Sequence, residues 1–210
     1  WLKNPPEGFR VEPVYAGVDQ PYRYARQFTT HFLALTEQID SDEPIDFAPG
    51  DYFFVLDLQP QVQTAQAAFF QYMRRQGVTV KFLVHDLLCI LQPEHFESGA
   101  AEGFTSWLKV VCESDGAVCV SETVASELSL WMKHQTWERQ RGFTIDWSHN
   151  GTNFEDTRTP GISRNLPETP TGWVRGGKTF LMVGTLEPRK GHSQVLDAFE
   201  HLWYDGHDIN

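Results

Sequence analysis

Arg189 and Lys190 are the residues of this sequence whose types and position most clearly predict chemistry. They follow an apolar run, Phe180 to Val183, which predicts a buried strand that ends at Gly184. Apolar residues then recur at helical spacing and predict a helix just after the two cations; they are Val195, Leu196, Phe199, Leu202 and Trp203. The N–H groups and the dipole at a helix N-terminus attract anions, and two side-chain cations add to that attraction. The pattern therefore predicts a site for a phosphorylated ligand.

Two familiar phosphate-loop motifs are missing at this position. Neither G-x-G-x-x-G nor G-K-[ST] follows the predicted strand, which argues against a dinucleotide fold or a Walker loop there. From the residues alone, a phosphate site and a solvated basic turn are equally good interpretations.

Residues 183–199, VGTLEPRKGHSQVLDAF, closely resemble the phosphate-binding element of GT-B glycosyltransferases of family 4. The likeness is greatest to bacterial mannosyltransferases that build lipopolysaccharide O-antigen. In that family a basic pair holds the diphosphate of a nucleotide sugar, so the resemblance implies that Arg189 and Lys190 do so here. Many members have arginine directly after the strand glycine, where this chain has Thr185. The resemblance thus implies a donor site formed by Gly184, Thr185, Arg189 and Lys190, with Thr185 as a hydrogen-bond donor.

Two side chains near the basic pair, Glu187 and His192, also have expected roles. Glu187 is expected to orient Arg189 or to cap the turn. His192, at the start of the predicted helix, could aid phosphate binding, although most exposed histidines have no such role.

Upstream, strand and helix patterns alternate and predict an α/β fold with a doubly wound, Rossmann-like parallel sheet. The predicted strands are Tyr52 to Leu58, Val78 to Val84, Ala117 to Val120 and Phe143 to Trp147. One helical face is predicted from Val62 to Met73 and ends before Gly77; further helices are predicted around 104–111 and from Ser121 onward. A helix is also plausible around Tyr22 to Leu35.

Ligands of such sheets collect beyond the carboxyl ends of the strands, where the sequence places Asp57, His85, Asp86, Ser121 and His149. For Asp57, capping of the next helix is a simpler interpretation than binding acceptor hydroxyls. His85 and Asp86 either form a capping or core-edge pair, which is the simpler interpretation, or contact the sugar and acceptor. The family resemblance extends to this segment and implies that the two residues could be catalytic. Ser121 is expected to cap a helix and could also face the diphosphate.

The domain organisation is predicted from composition. Residues 1–151 are expected to form an N-terminal, acceptor-side domain, and 178–210 the beginning of a C-terminal nucleotide-sugar domain. The segment between them, 152–177, is rich in proline, threonine and glycine and is the predicted linker. Because a single strand–helix unit cannot bury its apolar face, we expect the chain to be a piece of a two-domain enzyme that is inactive by itself.

The overall composition limits the classes of ligand and partner that the chain is expected to bind. The net charge of −11 argues against a general nucleic-acid binder. No apolar run reaches the roughly 18 residues of a membrane span, and Cys89, Cys112 and Cys119 are expected to be reduced thiols of a cytoplasmic protein. Peripheral membrane contact stays open. No D-x-D follows a predicted strand, so no metal and no cofactor beyond the donor substrate are expected.

Together, the residues and the resemblance predict a retaining, metal-independent glycosyltransferase. The expected donor is a nucleotide sugar, GDP-mannose, and the expected acceptor is a saccharide or a lipid-linked saccharide of bacterial surface polysaccharide synthesis. The alternative is a non-catalytic binding domain of the same fold, for which the seven tryptophans would suit an interface.

Overall fold

The structure is a computed structural model that describes residues 2, 4–36, 41–136, 142–151 and 180–207. Backbone contacts divide the chain into two units, Trp1–Asn150 and Gly151–Asn210. The predicted linker at 152–177 lies outside the described residues, and the predicted domain boundaries stay a prediction.

The first unit alternates strands and helices for most of its length. In chain order its elements are β1 (Val14–Tyr15), β2 (Arg23–Tyr24), α1 (Arg26–Phe32), β3 (Tyr52–Val55), α2 (Pro60–Ala65), α3 (Ala67–Arg75), β4 (Thr79–Val84), α4 (Leu88–Leu91), α5 (Ala100–Cys112), β5 (Gly116–Cys119), α6 (Glu122–Lys133) and β6 (Thr144–Trp147). β1 and β2 form an antiparallel pair, and β3 to β6 form a four-stranded parallel sheet in sequence order. The predicted α/β class and the parallel sheet are confirmed.

The order of the four strands determines where the core lies. Crossovers between parallel strands are right-handed, so connections that all step in the same direction place their helices on one face. Burial agrees, because Val80, Phe82 and Val84 of β4 are buried whereas the alternate residues are only half-buried. A doubly wound sheet also has helical connections on its opposite face. In the described part of the chain, no such connection joins these four strands.

Aromatic rings at the centre of that face hold the helices against the sheet. Phe82 meets Phe70 of α3 edge-to-face, with ring centroids 5.3 Å apart, and meets Trp107 of α5 at 6.4 Å. Each of the three side chains is almost fully buried. Burial of aromatic area on this scale is the main stabilising contribution that a sheet–helix layer can make.

Two predicted helices have different bounds in the structure. The single helix predicted from Val62 to Met73 is two helices, α2 and α3, that meet at Gln66. Gln66 Nε2 donates hydrogen bonds to the carbonyl oxygens of Gly17 (2.9 Å) and Gln20 (3.0 Å), so a loop distant in sequence is anchored at the break. The helix predicted around Tyr22 to Leu35 is only the seven-residue α1, because Arg23 and Tyr24 form strand β2 and pair with β1.

Arg74 fastens α3 to the turn between α5 and β5. Its Nε and Nη2 donate parallel hydrogen bonds to the Asp115 carboxylate, both of 3.0 Å, and Nη1 donates to the Glu113 carbonyl at 2.5 Å. The same carboxylate accepts the Val80 N–H at 2.8 Å. A bidentate, partly buried pair of this kind fixes β4, α3 and β5 relative to one another.

The second unit contradicts one prediction. The helix predicted after the basic pair is confirmed as α7 (His192–Tyr204), but Phe180 to Val183 is not a strand. Leu181 and Val183 are 87% and 85% exposed, so the run is not buried either. A strand needs a hydrogen-bonded neighbour, and no other strand is present among residues 180–207. Instead, Phe180 packs edge-to-face on Phe199 of α7 at 5.0 Å.

Arg74→Ala should lower the free energy of unfolding by about 2 kcal/mol, because it removes charge-assisted hydrogen bonds and leaves Asp115 without its cation. Equilibrium denaturation with urea would measure the change. Arg75→Ala, at the exposed neighbouring position, is the matched control and should have little effect. Equal losses for the two variants would contradict the role assigned to Arg74.

Candidate functional site

The candidate donor-binding turn runs from Gly184 into the first turn of α7. A short 3-10 helix at Pro188–Lys190 leads to Gly191, which has a φ of 73° and is the N-cap residue of α7. That left-handed backbone conformation favours glycine. Because glycine has no side chain, the first N–H groups of α7 donate no hydrogen bond to an N-cap side chain. These groups and the positive end of the helix dipole are thus available to an anion.

Glu187 is the centre of a hydrogen-bond network within this turn. Thr185 Oγ1 donates to Oε1 of Glu187 at 2.6 Å, and Arg189 Nε donates to Oε2 at 2.6 Å. The hydrogen bond from Thr185, with smaller contributions from Arg189 and the nearby Lys190, lowers the pKa of the Glu187 carboxyl below its ordinary value. The carboxylate is therefore ionised at neutral pH, and it takes up part of the positive charge that the sequence pattern predicts for a ligand.

Lys190 lies on the other side of the turn, against Gly184. Cγ and Cδ of Lys190, and Nε2 of His192, would each lie 3.7 Å from a Cβ built on Gly184, so both side chains pack close to this glycine. Within the described residues, the Lys190 ammonium makes no hydrogen bond or ion pair. Of the two predicted cations, Lys190 is thus the one whose charge is not opposed by a direct internal partner.

His192 closes the turn through the backbone. Its Nε2 lies 2.9 Å from the Thr185 carbonyl oxygen. Because a carbonyl oxygen only accepts, this geometry assigns the proton to Nε2. The four predicted donor-site residues, Gly184, Thr185, Arg189 and Lys190, therefore come together in one turn. Sequence reasoning gave His192 little weight, and its only sequence signal was its place at the start of the helix.

The other predicted site residues lie in the first unit. For Asp57, the structure corrects the expectation that it caps the next helix. Asp57 does not cap α2, whose N-cap residue is Gln59. Its Oδ1 accepts the Leu58 N–H at 2.9 Å, and its Oδ2 accepts Gln59 Nε2 at 2.6 Å. Asp57 lies too early in the chain to reach the N–H groups that follow Pro60, so it shapes the preceding loop instead.

His85 and Asp86 follow β4 and have different environments. Asp86 Oδ1 accepts the Leu88 N–H at 3.0 Å, at the beginning of α4. This agrees with the capping alternative for Asp86. His85 is exposed, and its ring makes no hydrogen bond to other described residues. Both side chains are exposed, so the difference between them is that one Asp86 oxygen already accepts a backbone N–H.

Ser121 and His149 follow the next two strands of the sheet. Ser121 Oγ accepts the Val124 N–H at 3.2 Å, which confirms the predicted cap of α6. The ring of His149 contacts that of Trp147, with centroids 5.2 Å apart. Strands β4, β5 and β6 are adjacent and parallel. His85, Ser121 and His149 therefore all lie just beyond the carboxyl ends of these strands, at the same end of the sheet.

One formal motif escaped the sequence predictions. Residues Gly172 to Thr179, GWVRGGKT, match the Walker spacing G-x-x-x-x-G-K-[ST]. A phosphate loop of that type joins a strand to a helix, whereas this match precedes the apolar run at Phe180. It lies outside the described residues, and we assign no site to it.

The described residues contain neither a metal site nor a membrane-spanning helix. No group of three or more His, Cys, Asp and Glu side chains there is arranged to hold a metal ion. Among the helices described, none combines the length and the apolar character needed to cross a membrane.

Comparison with known proteins gives one consistent similarity. No protein-family model and no solved structure matches the chain. Three curated sequences of the serotype-specific mannosyltransferase WbdA of Escherichia coli do, at 33%, 33% and 32% identity over 216, 216 and 215 aligned residues. These alignments cover 100% of this chain but only 25–26% of each relative. The chain is therefore similar, over its whole length, to about a quarter of a mannosyltransferase.

Proposed function

We propose that the chain is part of a retaining glycosyltransferase of the GT-B type, family 4. In this proposal it transfers mannose from GDP-mannose to a saccharide or lipid-linked acceptor in bacterial surface polysaccharide synthesis. The named relatives support glycosyl transfer. The observation that carries the proposal is the position of Lys190, which lies beside Gly184 and directly before α7.

At the donor end, the turn is suited to a leaving diphosphate. When the sugar–phosphate bond breaks, negative charge builds on the departing oxygens, and groups fixed in advance at that position stabilise the transition state. The Lys190 ammonium, the uncapped N–H groups of α7 and the helix dipole are such groups. They supply charge stabilisation that a metal ion provides in other transferases, so the proposed mechanism requires no metal. Retention by a front-face route follows from the family resemblance.

At the acceptor end, we assign His85 to contact with the acceptor and Asp86 to the shape of its loop. An exposed imidazole at the carboxyl end of a central strand can exchange a hydrogen bond with a sugar hydroxyl. Asp86 holds the loop through the Leu88 N–H. Ser121 is a weaker candidate, because its oxygen already accepts the Val124 N–H. A cytoplasmic location with peripheral membrane contact would suit a lipid-linked acceptor.

A non-catalytic binding domain is the second candidate, and one observation favours it. Tyr52 and Phe54, on the outward side of the edge strand β3, stack at 6.3 Å and remain 55% and 40% exposed. Exposed aromatic side chains are enriched in protein interfaces. Calorimetry separates the two candidates, since binding of a nucleoside diphosphate supports the enzyme and binding of a partner protein alone supports the domain.

Lys190→Ala in the full-length protein should lower the transfer rate about 100-fold or more, since it removes the cation placed at the leaving group. Transfer of labelled mannose from GDP-mannose to the acceptor would measure the rate. Lys133→Ala, at an exposed lysine on α6, is the control and should leave the rate unchanged. Turnover close to normal in Lys190→Ala would remove the assignment of this turn.

His85→Ala should reduce kcat/KM for the acceptor by about 10- to 100-fold, the range expected for one acid–base or hydrogen-bonding contact. The dissociation constant for GDP-mannose should not change, because the donor turn lies in the other unit. Steady-state kinetics with varied acceptor, together with donor titration, would show this division. His134→Ala, at the exposed C-cap of α6, is the matched control. An unchanged acceptor kcat/KM would exclude His85 from the acceptor site.

A further inference from the structure

Glu187 accepts hydrogen bonds from two side chains of the proposed diphosphate turn, Thr185 and Arg189. Thr185 Oγ1 and Arg189 Nε each donate at 2.6 Å, one to each carboxylate oxygen. A hydroxyl and a guanidinium N–H that converge on two oxygens of one anion form the kind of donor set that also binds phosphate. In this turn the anion is supplied by the chain itself.

An incoming phosphate and Glu187 would compete for the same protons. The Thr185 hydroxyl has one hydrogen to donate, and Arg189 Nε has one, and both are directed at Glu187. The carboxylate also lowers the positive potential that Lys190 contributes nearby, since the two are electrostatically coupled. A diphosphate can therefore use the Thr185 hydroxyl and the Arg189 Nε–H, as distinct from the Nη groups of Arg189, only when the carboxylate moves away.

Exposure makes that exchange feasible. The Glu187 and Arg189 side chains are 41% and 30% exposed, and ion pairs at such positions are weak enough to be replaced. Glu187 can then rotate into solvent without burying its charge. An anion with two negative charges gains more from Lys190, Arg189 and the helix dipole than a singly charged anion does, so the internal carboxylate would favour diphosphates over weaker anions.

We propose that Glu187 is an internal competitor at the diphosphate site and that binding of the sugar nucleotide displaces it from Thr185 and Arg189. This inference rests on the proposed function. It makes Glu187 a specificity-determining residue, because any anion that binds must outcompete the carboxylate.

The test uses the full-length protein and GDP-mannose, with amide chemical shifts of residues 184–192 followed by NMR. Each phosphate of GDP-mannose has one ester and one anhydride linkage and a single strongly acidic oxygen, so the charge of the ligand stays constant across neutral pH. Glu187→Gln preserves the size of the side chain but removes its charge, and it should bind about two- to five-fold more tightly, as expected for the loss of an exposed competing ion pair. Glu187→Ala should also bind more tightly. Glu200→Gln removes one exposed charge elsewhere on α7 and should match the unaltered chain.

The outcomes distinguish this inference from the function on which it rests. If the unaltered chain shows no saturable shifts at this turn up to about 10 mM ligand, or if Lys190→Ala binds equally well, the proposed donor site itself fails. If binding depends on Lys190 but neither Glu187 variant binds GDP-mannose more tightly than the unaltered protein, the donor site stands and the competitor role is overturned. Glu187 would then hold Arg189 in place for the ligand. Tighter binding by both variants, with Glu200→Gln unchanged, supports displacement.

Discussion

A positive charge held at the beginning of a helix is the interaction on which the proposed chemistry depends. Lys190 lies just before α7, and Gly191 leaves the N-cap position of that helix without a side chain. Charge and dipole therefore act in the same direction on any anion bound there. The turn is kept in shape by short-range contacts, chiefly between His192 and the Thr185 carbonyl. These contacts involve residues only a few positions apart, so the turn does not need a large core to define it.

The first unit meets a different constraint, which is the placement of strand ends relative to one another. Its sheet is covered on one face by helices whose aromatic side chains converge on Phe82. Arg74 and Asp115 then fix the neighbouring elements by charge-assisted hydrogen bonds. With the strands held in register, the loops that carry His85 and Ser121 follow adjacent strands at one edge. A rigid sheet with ligand-binding loops at its carboxyl ends is how α/β proteins usually separate stability from ligand binding.

The two units share one chemical feature, which is that acidic side chains organise the loops. Asp57 and Asp86 each accept a backbone N–H next to a strand end, and Glu187 gathers a hydroxyl and a guanidinium. The neighbouring His85 and Lys190 make no such internal bonds within the described residues. In each loop the carboxylate thus contributes to shape, and the basic neighbour stays available to a ligand.

The sequence by itself determined the features that depend on neighbours along the chain. Helical periodicity located α7, and the serine three residues before Val124 correctly predicted the cap of α6, because both rest on contacts within one helical turn. Tertiary structure alone decided the break at Gln66, which depends on carbonyl groups 46 and 49 residues away. It also decided against a strand at Phe180 to Val183, since an apolar run becomes a strand only when another strand supplies its hydrogen bonds. Likewise, the sequence placed Glu187 near Arg189, but only coordinates show that its carboxylate also holds the Thr185 hydroxyl, because hydrogen-bond direction depends on side-chain rotamers that spacing does not encode.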